Sequence, residues 1–387
     1  MNQKTFSINR RLALMSDKLE FLYLSEPEVI EAGVLDMKNC VSTIEKVFEL
    51  MATGDYLMGG PLENEHGMML WFPTEKRGPN MPVAGPDRRF MSMIAYVGGD
   101  FNVCGDKWYG SNIANRGKGL PRSILMVTLN DPDTGQPLAH MSGNLISATR
   151  TGAIPGVAAK YLAKPNAETV GILGAGVISK ACLKAIAETQ RSLKEIKVYD
   201  LFFEKAQEFS QQMSEELQLN VVPVHTLKDA IVDADIISVA TSGQNKARIE
   251  KQWLKPGCLV TLTGPADFDD EVYLEHKVVA DNWKMHEAWL QDAREHPLGF
   301  DSIKDWAPTG QLLQLVEQQQ KNSEDIINLG DVVSGQKLAR NNEDEVILFV
   351  TGGMPVYDVA WGYQVYQNAL QKGLGTQLLL WEKAHWA

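Results

Sequence analysis

A chain of 387 residues, 44% hydrophobic and 22% charged, is long enough for two domains with cores of their own and is neither a disordered tail nor a linker. Its formal net charge of −12 excludes a general binder of nucleic acid or of anionic membrane, which needs a basic face to displace counterions. No apolar run reaches the length of about 18 residues that would span a bilayer, the segment Met1–Arg11 lacks the apolar core of a secretion signal, and Cys40, Cys104, Cys182 and Cys258 form no C-x-x-C pair. The reading is a cytoplasmic protein without disulfides, and its seven scattered histidines predict no metal site.

In chain order, Asp36 precedes Val41, Ile44, Val47, Phe48 and Met51 at helical spacing, which predicts a capped amphipathic helix over 36–51. From about Gly60 to Ala148, turns separate β-type runs such as Phe90–Val97 and Ser123–Leu129, the second ending in the turn Asn130–Gly135; this predicts an antiparallel sheet. A helix over 152–162 then opens an alternation of strand and helix. Six strands are expected, near 169–173, 196–199, 221–224, 236–240, 259–263 and 278–280, enough for a Rossmann sheet. The segment 348–355 and a helix over 359–370 are expected to return to the first region. The fold class is α/β, with a Rossmann dinucleotide-binding domain over 152–349 and a discontinuous α+β domain made of 1–151 and 350–387.

The most specific motif is Thr169-Val-Gly-Ile-Leu-Gly-Ala-Gly-Val-Ile-Ser-Lys180 followed by Glu195-Ile-Lys-Val-Tyr-Asp200. It reads as strand, glycine turn, helix and second strand ending in a carboxylate. Gly174 permits the tight turn, Gly176 admits a pyrophosphate to the backbone N–H groups ahead of Val177 and Ile178, and Ser179 is small enough for close helix–strand packing. Asp200 stands where a carboxylate accepts the ribose hydroxyls and repels a 2′-phosphate, which favours NAD(H) over NADP(H).

Ser147-Ala-Thr-Arg-Thr-Gly-Ala153, Ala158–Ala163 and Gly171–Gly176, together with Asp131–Pro137, Asn328–Asp331 and Gly353–Asp358, closely resemble the ornithine cyclodeaminase and mu-crystallin family over roughly residues 30 to 375. The resemblance implies a first domain that binds substrate and forms a homodimer, and an NAD-dependent enzyme with an amino-acid substrate. Arg150, read as lying at a helix N-terminus, would clamp the substrate carboxylate with help from the helix dipole, or else form an interdomain salt bridge. Lys107 stands where the family places its active-site lysine after a strand, the alternative being a solvated loop lysine. Arg77 resembles the family's first carboxylate-binding arginine, with Arg88 and Arg89 competing for the role. Asp267, in Thr263-Gly-Pro-Ala-Asp-Phe-Asp-Asp270, matches the aspartate that acts on substrate amines in cyclodeaminases; Asp269 and Asp270 leave its register open, and the family's next residues, proline and glycine, are missing. Thr151, Thr241 and Ser242 complete the expected cofactor contacts. Trp108 is expected to line an apolar pocket beside Lys107, with Trp71, Trp283, Trp289 and Trp306 as further candidates, and His286 is expected to be structural.

The lead reaction implied is L-ornithine to L-proline plus ammonia, by oxidation of the α-carbon to an imine and return of the hydride. The alternatives are an opine-type or simple amino-acid dehydrogenase, a ketimine reductase, or a mu-crystallin-like protein that only binds dinucleotide and a small ligand. Lys107–Asn112, Gly119–Arg122 and Ser142–Ser147 resemble a branch that oxidises an N-linked opine-like amino acid; Arg122, if it lines the pocket, implies a second substrate carboxylate.

Overall fold

The structure, a computed structural model, describes residues 18–241, 246–296, 298–303 and 307–386. Ser242, Trp306 and the segment 1–17 lie outside the described residues. Strand β1 (Leu19–Leu24) and helix α1 (Glu26–Glu31) lead into α2 (Met37–Thr53), whose Asn39 N–H donates to the capping Asp36 at 3.0 Å and whose end is closed by left-handed Gly54. Strands β2 (Tyr56–Met58), β3 (Met68–Trp71), β4 (Arg89–Val97), β5 (Val103–Ser111), β6 (Ser123–Asn130) and β7 (Pro137–Ser142) follow. β4 to β7 form the expected antiparallel meander, but the sheet is mixed, because β1 lies parallel to β7.

Helix α3 (Asn144–Leu162) crosses from this sheet to the second one. There β8 (Thr169–Leu173), α4 (Val177–Thr189), β9 (Glu195–Tyr199), α5 (Phe203–Leu217), β10 (Asn220–Pro223), α6 (Leu227–Ile231) and β11 (Ile236–Val239) form the nucleotide-binding half. The chain continues through β12 (Ala247–Ile249), β13 (Leu259–Leu262), β14 (Ala266–Phe268), α7 (Asp270–Glu275), β15 (Lys277–Ala280), α8 (Trp283–Glu295), α9 (Gly310–Glu317), β16 (Ile327–Asn328), α10 (Leu329–Val333) and β17 (Ile347–Val350). The order β10-β9-β8-β11-β13-β17-β15-β16 is parallel throughout, the Rossmann arrangement extended at one side.

The sheet therefore has eight strands rather than six. The segment expected to return to the first domain at residue 348 instead fills the sheet between β13 and β15, as the fully buried run Ile-Leu-Phe-Val. Apolar on both faces, that run is what a central parallel strand requires. The chain returns only with α11 (Pro355–Lys372), which packs on β4, β5 and β6, and ends in β18 (Thr376–Trp381), antiparallel to β1.

Two close approaches set the geometry of the cleft. In α3, a Cβ on Gly152 would come within 2.3 Å of the Ala181 backbone and one on Gly156 within 2.6 Å of the Ala185 Cβ, so these glycines let α3 lie directly on α4. In β5, a Cβ on Gly105 would meet Val359 at 2.9 Å, which lets α11 settle onto the sheet. Arg150 lies two residues before Gly152, Lys107 two residues after Gly105 and Asp358 next to Val359, so these contacts bring the three together.

Candidate functional site

Period-2 alternation along β5 turns Val103, Gly105 and Lys107 toward α3 and α11. The Lys107 ammonium lies 2.8 Å from Asp358 Oδ2, and Arg150 Nε lies 2.9 Å from Asp358 Oδ1. All three side chains are buried, Asp358 completely. Lys107 Nζ is also 3.5 Å from Ser147 Oγ, one turn before Arg150. One carboxylate therefore bridges two buried cations and leaves the trio one positive charge in excess. Arg150 Nη1 is buried without a hydrogen-bond partner, and the left-handed Gly353 backbone packs against it. A spare guanidinium N–H beside a buried ammonium is a carboxylate-binding arrangement.

Burial and the neighbouring Arg150 charge pull the Lys107 ammonium down to about 8, against the opposing pull of Asp358. Lys107 thus gains and loses a proton close to neutrality. His66, in the loop between β2 and β3, was not anticipated. Burial and the charges of Lys107 and Arg150 push its imidazole down to about 3 against the opposing pull of the Gly353 backbone, and its Nδ1 has no partner. The ring stands edge-on to Trp289 with centroids 5.4 Å apart.

The loop carrying Gly353 is held by Asp281, whose Oδ2 accepts from Thr351 Oγ1 at 2.7 Å and from the N–H groups of Gly352 and Gly353 at 3.0 and 3.3 Å. His286 bridges Asp281 Oδ1 (2.9 Å) and Thr309 Oγ1 (3.0 Å) in the interior, the structural part expected of it. Burial alone would raise the Asp281 carboxyl, but the bonds from His286 and Thr351 outweigh it and hold the group below its ordinary value.

Further along the same face of the first sheet, Tyr109 links the trio to a second polar cluster. Lys107 Nζ lies 5.7 Å from the Tyr109 ring, and the Arg89 guanidinium lies 5.9 Å from that ring and 5.3 Å from the Trp71 ring. Arg89, Arg122 and Ser111 all bond Asp87, and Ser123 Oγ donates to Ser111 Oγ at 3.0 Å. Arg89 Nε is buried and unpartnered. Two guanidinium groups thus share one carboxylate at this end of the sheet.

The dinucleotide crevice, about 460 Å³, is lined by Gly174, Ala175, Gly176, Asp200, Ala240 and Thr241, with Arg116 reaching in from the first domain. Gly174 takes φ 95° against the Ala240 carbonyl, a backbone that favours glycine. Gly176 caps α4 with no side chain in the way, Val177 is exposed and Ile178 half-buried, so the first-turn N–H groups of α4 face the crevice. Asp200 accepts from Ala175 N (2.8 Å) and Phe202 N (3.0 Å), which fixes the carboxylate at the turn. Thr241 Oγ1 donates to the Pro265 carbonyl at 3.0 Å and Thr151 Oγ1 to the Ser147 carbonyl at 2.6 Å. A dinucleotide fits these residues.

Several expectations need correction. Arg150 is not at a helix N-terminus: α3 starts at Asn144, so Arg150 lies nearly two turns inside, where the dipole of the first turn no longer acts. Lys107 is within a strand rather than in a loop or after the strand. Trp108, its neighbour, therefore points the opposite way, 41% exposed on the outer face and stacked on Phe90 at 5.6 Å, and does not line the pocket. Arg77 is exposed in the loop between β3 and β4, and Arg88 is bound to the Val83 carbonyl at 3.0 Å; Arg89 is the arginine on the Lys107 face. Asp267, on β14, is half-exposed and lies 3.7 Å from Lys246 in a cleft of about 440 Å³ with Arg248, Phe268 and Gln311. Lys246 and Arg248 also line the dinucleotide crevice, so the cleft of Asp267 shares that wall with the crevice, and the carboxylate is turned to Lys246. Asp269 pairs with Arg248, and Asp270 accepts from Gln311 at 2.7 Å. Among the described residues no helix is long and apolar enough to cross a membrane.

Comparison with known proteins agrees with this architecture. The chain is 28% identical to the N-((2S)-2-amino-2-carboxyethyl)-L-glutamate dehydrogenase of Staphylococcus aureus, over 94% of this chain and 99% of that protein. It superposes on the Δ1-pyrroline-2-carboxylate reductase of Thermococcus litoralis, solved with NADH and L-proline, with a TM-score of 0.75 and 26% identity over 92% of this chain and all of the other. An archaeal alanine dehydrogenase dimer with bound NAD gives 0.76 and 25% over 94% of this chain and all of the other. The pattern of the ornithine cyclodeaminase/mu-crystallin family matches residues 34–373, so with this crevice and this buried lysine–arginine pair the chain belongs to that family.

Proposed function

We propose that this chain is an NAD(H)-linked oxidoreductase that interconverts an α-amino acid and its α-imino acid. The observation that carries the reading is the buried Lys107–Asp358–Arg150 trio, one positive charge in excess, with Arg150 Nη1 unpartnered. A substrate carboxylate would take up that charge and accept from Arg150 Nη1 and Lys107 Nζ, fixing the α-carbon relative to the crevice. Lys107, poised near pH 8, would take a proton from the substrate ammonium, leaving a neutral amine whose lone pair drives loss of the α-hydrogen as hydride. NAD+ held in the crevice would supply the hydride acceptor, the substrate leaving as an iminium, and NADH held there would supply hydride for the reverse reduction of an imino acid.

Net dehydrogenation or reduction is favoured over cyclodeamination of L-ornithine, because the carboxylate expected to handle the second amine, Asp267, is turned to Lys246. The test is incubation with NAD+ and a panel of L-ornithine, L-lysine, L-alanine, L-proline and an N-carboxyalkyl amino acid, following NADH absorbance and ammonia. Stoichiometric NADH is expected. Proline and ammonia from ornithine without net NADH would overturn the reading and restore the cyclodeaminase.

Within this class, the Arg89–Asp87–Arg122 cluster favours an N-linked substrate with a second carboxylate, as the name of the Staphylococcus aureus relative describes for that enzyme. Arg89 stands four residues along the sheet from the strand position facing Lys107, roughly 13 Å at about 3.3 Å per residue, a span that alanine does not bridge. Arg122→Ala would then raise KM for the dicarboxylate about 10-fold and leave a monocarboxylate unaffected. The outer face of the same sheet exposes Phe90, Ile94, Trp108, Ile124 and Met126, a contiguous apolar patch that we assign to a homodimer interface.

A further inference from the structure

We infer that Arg116, a residue of the first domain, binds the pyrophosphate of NAD(H), so that the cofactor is held from both domains. The inference needs only the nucleotide site and is independent of which amino acid reacts. The cations lining the dinucleotide crevice are Arg116, Lys205, Lys246 and Arg248. Those of the second domain are engaged there: Lys246 lies 3.7 Å from Asp267, Arg248 pairs with Asp269, and the Lys205 ammonium lies 4.7 Å from the centre of the Phe202 ring. Arg116 comes from the other domain, is exposed, and forms no ion pair with a described residue. Asp200, the carboxylate of the crevice, is taken up by the N–H groups of Ala175 and Phe202.

The loop that presents Arg116 is internally bonded. Strands β5 and β6 end in register at Ser111 and Ser123. Beyond them the Asn112 N–H donates to the Arg122 carbonyl at 2.9 Å and the Leu120 N–H to the Asn115 carbonyl at 3.1 Å. Asn112 Oδ1 accepts from the Ala114 N–H at 3.0 Å and so caps a short 3-10 helix, Ile113–Lys118. Asn115 Nδ2 donates to the Pro121 carbonyl at 3.2 Å, and left-handed Gly119, at φ 69°, ends the helix. Arg116 thus stands on a closed loop that carries it to the glycine turn of the other domain.

In NAD(H) the pyrophosphate is the only anionic part. The first-turn N–H groups of α4 offer it neutral donors, and Arg116 adds the charge that the second domain has committed elsewhere. A guanidinium bonds two phosphate oxygens at once, and because this one is exposed, screening keeps its contribution modest. The same hairpin carries Lys107 on β5, so a cofactor gripped by Arg116 is tied to the strand that holds the buried cations.

NADH binding to the full chain, followed by cofactor fluorescence at low ionic strength, tests this. Arg116→Gln is expected to weaken NADH about 10-fold, Arg116→Lys to recover part of that loss, and Lys118→Gln, which removes a charge from the same loop but not from the crevice, to change affinity by less than about 2-fold. Competition against NADH separates the parts of the ligand. In Arg116→Gln, ADP-ribose, which keeps the pyrophosphate, should lose as much affinity as NADH, whereas adenosine, which lacks it, should lose none. The phosphorus NMR resonances of bound NADH should move in Arg116→Gln and stay in place in Lys118→Gln. An Arg116→Gln protein that binds NADH within about 2-fold of wild type, an equal loss in Lys118→Gln, or adenosine weakened as much as ADP-ribose would each overturn the inference. A fall in the unliganded Tm that accompanied the lost affinity would make Arg116 a packing residue and overturn it likewise.

Discussion

Replacing Asp358 by Asn tests the centre of the site most directly. The isosteric change keeps the shape of the side chain but removes the negative charge between Lys107 Nζ at 2.8 Å and Arg150 Nε at 2.9 Å. Removing one partner of a buried ion pair costs about 3–5 kcal/mol, because the remaining charge stays desolvated. At about 2.1 cal/mol/K of unfolding entropy per residue, a chain of 387 residues loses roughly 4–6 °C of Tm for that cost. Asp358 is also what holds the Lys107 ammonium up at about 8, so the activity limb controlled by Lys107 moves to lower pH. The folded ammonium is already harder to form than in the unfolded chain; Lys107 therefore disfavours folding below about pH 8, and this penalty fades as pH rises toward the unfolded value near 10.4. In the variant the penalty extends to lower pH. Differential scanning calorimetry from pH 6 to pH 10, with pH–rate profiles for the best substrate, measures both effects. Adding Lys107→Met should restore much of the lost stability without restoring activity. A variant within 1 °C of wild type, with an unshifted pH limb, would refute the view that Asp358 organises two buried cations.

Three further outcomes follow from the fold. Asp200→Ser removes the carboxylate fixed on the Ala175 and Phe202 N–H groups; NADH affinity should fall about 10-fold while NADPH binding improves, read by nucleotide fluorescence, and an unchanged NADPH affinity would contradict the assigned role. Gly152→Val drives a Cβ into the Ala181 backbone, 2.3 Å away, and should cost about 1–3 kcal/mol or more by overpacking, visible in Tm and in weakened substrate binding as Arg150 is displaced. Trp108→Glu puts a charge in the outer apolar patch around Phe90; sedimentation should show dimer giving way to monomer, and an unaltered dimer would move the interface elsewhere.

What could be read from the sequence was local. The glycine turn from Thr169 to Asp200, the Asp36 cap and the β-runs of the first sheet are set by residues close along the chain, and period and turn chemistry announced them. The buried strand Ile347–Val350 has no alternation to betray it, so only tertiary structure distinguishes it from a linker. The start of α3 was hidden because Gly143 caps it without a side-chain bond, and that concealed the true position of Arg150. The opposite directions of Lys107 and Trp108 were legible in principle, since adjacent residues of one strand point to opposite faces once both are known to lie in it.

Asp358 marks the limit of such reading. A single carboxylate among the apolar residues of Pro355–Trp361 signals a buried charge, and a buried charge requires partners. Nothing local says which partners: they stand 251 and 208 residues away in the chain, at Lys107 and Arg150. They meet because Gly105 and Gly152 remove side chains where α11 crosses β5 and α3 crosses α4. These glycines therefore act on the chemistry through packing, and substitutions at them should change carboxylate affinity before they change NADH affinity. A Gly105→Ala protein in which both affinities fell together would show that α11 does not carry Asp358 into the site independently of the Rossmann sheet.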